Sequence, residues 1–348
     1  MRSRADSQPA CATTVADPLE RALLARLLAG PVSGAELAAA AGVTRAAVWK
    51  RVEALRAQGV DVEARAGTGY SVPAGLAALG LLDPDAIRAA AGAALHGRLD
   101  ALRVAWSIDS TSSALLRDAQ AGDGSVLLAE RQSGGRGRRG RAWASPLAAH
   151  VYLSLLRRFE LPPVRLGGLS IVVGIACAHA LRGFGFGQVG LKWPNDVVVV
   201  RDGVLHKLGG ILVEFGGEAG GPVRAVIGIG INGRMPTSVA ATLDQPWTDL
   251  ATLAAGAPPS RSAVAGAVLA CLVPALDRFA QEGLAPFLEA YAGLDVLAGQ
   301  AVTMLGGART DEGVACGIGE DGALRVRHAT GIRAWHSGEV SVRLAGVT

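Results

Sequence analysis

The sequence predicts a multidomain α+β protein with a small helical unit and β-hairpin in front, an α/β unit in the middle and a short all-β unit behind. Three patterns carry this. Residues 18–59 place apolar residues at helical spacing, interrupted by a glycine turn. Between 103 and 232, short apolar runs bounded by turn residues read as buried strands, with one long apolar helix among them. Residues 301–344 alternate in short pieces separated by turn residues. A length of 348 residues favours two or three domains, and 50% hydrophobic against 18% charged residues supplies a core and excludes a disordered chain.

The front unit, 18–75, reads as a winged helix-turn-helix. Leu19, Leu23 and Leu27 fall on one face of a helix over 18–28. Residues 36–41 make a second, Ala-rich helix; Gly42 supplies a left-handed turn; Thr44 is a natural N-cap; and Val48, Val52 and Leu55 share a face of the third helix. The alternation around Gly67 and Gly69 suits a hairpin wing. In the DNA-binding reading, the third helix turns Thr44, Arg45, Ala46, Trp49 and Lys50 toward a major groove, with Arg51, Arg56 and Arg65 available for phosphates. Residues 1–75 carry nine Arg or Lys against seven Asp or Glu. So weak a charge favours a symmetric dimer on paired operator half-sites.

Residues 73–83 read as a linker, and Asp83-Pro84-Asp85 opens a further short helix. A strand over 103–107 runs into Asp109-Ser110-Thr111-Ser112, where Ser110 and Thr111 can cap a helix at a strand-to-helix corner. After a strand at 125–129 comes ERQSGGRGRRGRAW, residues 130–143, with five arginines, four glycines and one acid. Glycines let backbone N–H groups converge on an anion, and arginine forks bind phosphate or carboxylate oxygens in pairs. This is a candidate anion clamp. A strand at 151–156 and a helix over 166–181 follow.

Pro194 holds an extended backbone before Asn195 and Asp196, an oxygen pair suited to a hydrated Mg²⁺ ion beside phosphates. Strands at 197–200 and 208–215 flank a hairpin turn at Asp202-Gly203; Lys207 precedes a Gly-Gly pair, and 224–232 is another buried strand whose glycines open space. Residues 283–291 close a helix before the β tail, whose turns fall at 306–308, 320–322 and 336–339.

The longest apolar run, 169–181, stops short of a membrane span, and residues 1–17 lack the apolar core of a signal peptide and read as a loose tail. Cys11, Cys177, Cys271 and Cys316 are far apart, with neither zinc nor disulfide spacing. The expectation is a cytoplasmic protein without a membrane partner.

DSTS at 109–112, the Arg/Gly block at 130–143, KWPND at 192–196, KLGGILVE at 207–214 and GIGIN at 228–232 together resemble the biotin protein ligase family in their order and spacing. With the helix-turn-helix in front, nearly the whole chain from Pro18 on resembles its bifunctional bacterial form. The resemblance implies a class II synthetase-like catalytic domain over 83–296 and an SH3-like barrel over 297–348. It implies that biotin and ATP give biotinyl-5′-AMP, after which biotin passes to a lysine of the biotin carboxyl carrier protein of acetyl-CoA carboxylase. It also implies a biotin-responsive repressor whose homodimer forms with ligand. Carried onto this sequence, Ser110, Thr111, Ser112, Gln132, Gly135, Arg136, Gly137, Arg138 and Lys207 meet biotin or the adenylate. Lys192, Asn195 and Asn232 lie near the nucleotide, Asp196 near the metal, and Trp247 covers the adenine. Lys207, Arg138 and Asp196 are the catalytic candidates. Ser112 stands where the family motif has Asn, and the 196–207 hairpin is longer than the pattern. The competing expectations are a ligase whose winged helix only supports the fold, a relative acting on lipoate or octanoate, and a pure DNA-binding sensor.

Overall fold

The computed structural model describes residues 18–95, 97–99, 101–216, 222–306, 309–336 and 341–344. The tail at 1–17 and most of the turns expected at 306–308 and 336–339 lie outside the described residues.

The front unit forms where apolar spacing and caps predict it. Helix α1 (Pro18–Leu28) buries Leu23, Leu24 and Leu27. Helix α2 (Gly34–Ala41) opens on a capping box: Ser33 Oγ accepts from the Glu36 N–H at 3.1 Å, and the Glu36 carboxylate accepts from the Ser33 N–H at 2.9 Å. It ends at Gly42 with φ 64°. Helix α3 (Arg45–Ala57) starts from Thr44, whose Oγ1 accepts from the Ala47 N–H at 3.2 Å, and buries Val48, Val52 and Leu55. Strands β1 (Glu63–Arg65) and β2 (Gly69–Ser71) pair as an antiparallel wing, and Tyr70 also bridges Val32. This is a winged helix-turn-helix.

The expected linker at 73–83 is partly helical. Pro73 cannot donate but can start a helix, and α4 (Ala74–Leu79) buries Leu76 and Leu79 before α5 (Pro84–Ala91) begins at its Asp83 cap. The central sheet contains β3 (Leu102–Ile108), β4 (Val126–Gln132), β5 (Val151–Phe159), β6 (Val189–Lys192), β7 (Asp196–Arg201), β8 (Val204–Gly216) and β9 (Val223–Ile231). Its order is β3-β4-β5-β9-β8-β7-β6, with β3 and β4 parallel and every other neighbouring pair antiparallel.

Two long helices cover one face: α7 (Leu169–Gly183), then, beyond the short α8 (Thr237–Ala240) and α9 (Leu250–Leu253), α10 (Arg261–Glu282). The helix expected over 166–181 starts at Leu169 because Leu166 instead closes a short 3₁₀ turn, Pro163–Leu166. No element was expected over 261–282, although buried Val264, Val268, Leu272, Leu276 and Phe279 keep helical spacing across Pro274. Helix α10, and α7 taken together with the preceding turn as Pro163–Gly183, have the length and hydropathy of a membrane span, but 50% and 72% of their apolar windows are buried, as in core helices. On the opposite face, among the described residues, the helix is α6 (Thr111–Arg117), with Ala114 and Leu115 packed near Leu127, Leu156 and Val226. That leaves room beside α6 for a cavity. After α11 (Leu288–Ala292), strands β10 (Ala301–Gly306), β11 (Arg309–Ile318), β12 (Leu324–His328), β13 (Gly331–Trp335) and β14 (Ser341–Leu344) form a small antiparallel sheet whose Val302, Leu324 and Val326 join the main core.

A buried ion pair ties these parts together. Arg261 and Glu130 meet at 2.6 Å with side chains 0% and 3% exposed. Glu130 also accepts from the Leu82 N–H, and Arg261 donates to the carbonyls of Gly80 and His150. His150 is fully buried, its Nδ1 accepting from the Gly233 N–H at 3.1 Å. Burial, with Arg261 nearby, lowers its pKa to about 3.

Arg261→Met leaves Glu130 charged and unpaired in the interior and is expected to cost about 3–5 kcal/mol of stability. Adding Glu130→Gln should recover a large part of that loss, as read by urea unfolding. His150 makes a separate expectation. Its folded pKa is depressed, so between about 6.5 and about 3 only the unfolded state takes up the proton. Stability therefore declines as pH falls through that window, and by linkage the total is on the order of several kcal/mol. His150→Gln should flatten that part of the pH–stability curve; an unchanged slope would assign the acid sensitivity elsewhere.

Candidate active site and nucleic-acid interface

The cavity, about 820 Å³, is floored by β8 and β9 and roofed by the 133–143 loop. Alternation on β9 sends Ile227, Ile229 and Ile231 into the core and leaves Gly228 and Gly230 on the other face. The glycines are required by contact: a Cβ on Gly230 would lie 2.6–2.8 Å from the Trp143 indole, and one on Gly228 would lie 2.5 Å from Ser112 Oγ. On β8 both Lys207 and Gly210 line the cavity although they are three residues apart. An unbroken strand would turn them to opposite faces, but the register with β7 shifts between Val197 and Val198. That bulge sets Lys207 and Gly210 on one side.

Lys207 Nζ pairs with Asp196 Oδ1 at 2.7 Å and stands 5.5 Å from the centre of the Trp143 ring. Asn195 is held twice, its Nδ2 donating to the Ile211 carbonyl at 2.9 Å and its Oδ1 accepting from Arg138 at 3.1 Å. Burial, with Arg139 and Arg141 close by, pulls the Arg138 guanidinium below its ordinary pKa, against the opposing effect of Asp196. Arg136 bonds Ser113 Oγ at 2.8 Å and pairs with Glu214 at 2.9 Å. Arg139 takes φ 58° at the crown of the loop. The loop thus closes on the sheet through Arg138, at the turn between β6 and β7, and through Arg136, at β8.

At the other end, hydroxyls replace charges. Ser110 Oγ accepts from the Ser113 N–H and caps α6. The Thr111 N–H and hydroxyl both approach Gln132 Oε1, at 2.9 and 3.2 Å, and Gln132 Nε2 donates to Ser145 Oγ at 3.0 Å. Ser112 Oγ lies 2.9 Å from Ser154 Oγ. Ser110, Thr111, Ser112, Gln132, Arg136, Gly137, Arg138, Lys192, Asn195, Asp196 and Lys207 therefore share one cavity wall or another.

Gly135, Asn232 and Trp247 stand behind that lining. A Cβ on Gly135 would meet Ser145 Oγ at 2.5 Å. Asn232 is 4% exposed and spends its Nδ2 on the carbonyls of Lys207 and Thr248, so its role is to fasten strands behind Lys207. Trp247 bridges the Lys207 backbone, while its neighbours 242–246 line the cavity. Sequence reasoning missed Trp143 and Ser154; the glycines of GIGIN and the lone serine in a buried strand were the available signals. As to a metal, Asp196 is engaged by Lys207 and Asn195 by Arg138, and among the described residues no three His, Cys, Asp or Glu side chains converge. The expected Asn195–Asp196 pair is not a complete Mg²⁺ site, which would need phosphate oxygens from a ligand.

On the front unit, Thr44, Arg45, Ala46, Trp49 and Lys50 are exposed along the start of α3, Trp49 to 54%. Arg51 is half-buried. Arg56 is not available for phosphates as expected: its guanidinium donates twice to the Val62 carbonyl and pairs with Glu53. Arg65 is exposed beside Glu63.

Comparison with known proteins agrees with this layout. Residues 104–232 match the biotin/lipoate A/B protein ligase family model, residues 20–71 an HTH domain and residues 298–343 a biotin protein ligase C-terminal domain. The chain is 39% identical over 316 residues to the bifunctional ligase/repressor BirA of Salmonella typhimurium, covering 90% of this chain and 93% of that protein. The Bacillus subtilis protein of the same name is 29% identical over 315 residues, covering 89% and 94%. Among solved structures, the biotin protein ligase from Aquifex aeolicus in complex with biotin and ATP aligns with TM-score 0.59 and 28% identity, over 70% of this chain and 99% of that one.

Proposed function

The chain belongs to the biotin protein ligase family in its bifunctional ligase/repressor form, and from that premise we propose how its own residues carry out the two steps. It is an ATP-dependent biotin ligase with a repressor role. The observation that carries the site assignment is the Lys207–Asp196 pair inside a cavity roofed by the arginine loop. In the first step a biotin carboxylate oxygen attacks the α-phosphorus of ATP, the bond to the β-phosphate oxygen breaks, and pyrophosphate leaves. Two anions must approach, so fixed cations are needed. Lys207 and Arg138 supply them around the neighbouring Asn195 and Asp196, Arg136 adds charge at the loop base, and Lys192 faces the same space. Mg²⁺, on this reading, arrives with the phosphates as part of the substrate, with Asp196 as its one protein carboxylate.

In the second step a carrier-protein lysine loses a proton, its amine attacks the anhydride carbonyl, and AMP departs. We assign Asp196 to take that proton. The anhydride is sensitive to water, so a loop that closes over it acts as a barrier as well as a clamp. The carrier is read as the biotin carboxyl carrier protein of acetyl-CoA carboxylase, and the setting as the cytoplasm. The domain limits we adopt are 18–75, 83–296 and 297–348. Trp247 is assigned beside the adenine, with Asn232 supporting it. Operator DNA is read by Thr44 to Arg51 in a homodimer that the adenylate promotes.

Lys207→Ala is expected to keep the fold and slow pyrophosphate release roughly a hundred- to a thousand-fold, since it removes a cation facing developing charge. Near wild-type rates would take Lys207 out of the chemistry. Arg138→Gly tests the lid: it should let biotinyl-5′-AMP escape, labelling bystander proteins, while adenylate still forms. Tight retention with label on the carrier alone would remove Arg138 as the anchor. For DNA, footprinting on the promoter of the protein's own biotin genes should show binding strengthened by biotin plus ATP; affinity indifferent to both would reduce the winged helix to a support.

A further inference from the structure

Ser154 is the polar interruption in β5, a strand otherwise buried and apolar over 151–156, and it is 0% exposed. It lies opposite Gly228 in the register with β9, so no side chain on that neighbour shields it from α6. Its Oγ lies 2.7 Å from Thr111 Oγ1 and 2.9 Å from Ser112 Oγ, and both of those hydroxyls line the cavity while Ser154 does not. We propose that Ser154 is a positioning residue that joins Thr111 and Ser112 into one proton-directed relay selecting substrates with a hydrogen-bonding headgroup, such as the cyclic urea of biotin, over plain acyl acids. This rests on the ligase reading of the cavity.

The direction follows from donor counting. Ser145 Oγ gives its proton to the Trp143 carbonyl, so it must accept from Gln132, which turns Gln132 Oε1 toward Thr111. The Thr111 N–H, a donor only, requires the same orientation. Three hydroxyls then hold three protons, and the two oxygen–oxygen links consume two. The third has two destinations. Sent from Thr111 to Gln132, it leaves Ser112 Oγ as an acceptor for a ligand N–H. Reversed through Ser154, it makes Ser112 a donor to a ligand carbonyl. A cyclic urea offers both partners, whereas a saturated acyl chain offers neither and gains nothing from the relay.

The test uses the purified full chain, with pyrophosphate release measured against biotin, octanoate and ATP in turn, alongside melting temperature. Ser154→Ala should raise the KM for biotin roughly 10- to 100-fold, the loss expected for a buried hydroxyl deprived of its partner. The KM for ATP and any turnover of octanoate should stay as in wild type, so that selectivity for biotin falls by the same factor. Ser154→Cys, which fills the space with a weak hydrogen-bonding group, should behave like Ser154→Ala. A wild-type KM for biotin in Ser154→Ala, restoration by Ser154→Cys, or an equal loss toward octanoate would each overturn the relay. Wild-type turnover of biotin checks the ligase reading separately: if wild type is active and Ser154→Ala matches it, only the relay fails.

Discussion

The Glu130–Arg261 pair is the constraint on which the rest of the molecule depends. Its geometry fixes four segments at one point: the end of β4, the start of α10, the residues 80–82 that leave the winged helix, and His150 at the start of β5. A buried pair of this kind adds little net stability over an apolar substitute, because both charges have been stripped of water. What it adds is position. Glu130 is two residues before Gln132, and the anion loop begins immediately after. The strand that delivers the loop is therefore held at its last buried residue by a contact that tolerates little sliding.

The cavity on the far face exists because residues are missing from it. Gly210, Gly228 and Gly230 leave a floor low enough for the Trp143 indole and the α6 hydroxyls to settle on the sheet. The bulge in β8 then turns Lys207 into the same space, where Asp196 meets it from β7. A flat, regular sheet of the same composition would bury Lys207 against α7 or leave it in solvent. The polar and cationic ends of the cavity stay apart because they come from different strands, the hydroxyls from α6 and β5 and the charges from β7, β8 and the loop.

Much of this was legible in the sequence, for identifiable reasons. The front unit follows from short-range signals: Gly42 and Thr44 each mark a helix end through their own backbone contacts, and the wing through its paired glycines. The strands at 197–200, 208–215 and 224–232 appear as apolar runs because they are buried. The Arg/Gly loop and Lys207 stood out by charge. What was not legible depends on partners distant in the chain. Arg56 looks like a phosphate ligand until the Val62 carbonyl folds back on it, and Asn232 looks like a nucleotide contact until two carbonyls occupy its amide. Ser154 has no local signature beyond a hydroxyl among aliphatics.

The segment after the loop connects the cavity wall to the end of α3 by direct contacts. Trp143 hydrogen-bonds back to Gly135 and stacks on the floor; Ser145 is bonded to Gln132 in the cavity wall; and Pro146 accepts from Tyr152 and presses on Gly59, where a Cβ would lie 2.7 Å away. The next N–H, of Leu147, donates to the carbonyl of Gln58 at 3.0 Å, and Gln58 is the C-cap of α3. Glu20 on α1 then takes both Gln58 Nε2 and Trp106 Nε1, and Arg234 pairs with Asp61 alongside. From the cavity wall to the C-cap of α3 is thus a run of five residues with bonds at both ends. Shifting the backbone of this run therefore strains its contacts with the α3 cap as well as those with the cavity wall. By linkage, any coupling between a cavity ligand and a partner of α3 is the same free energy read from either site.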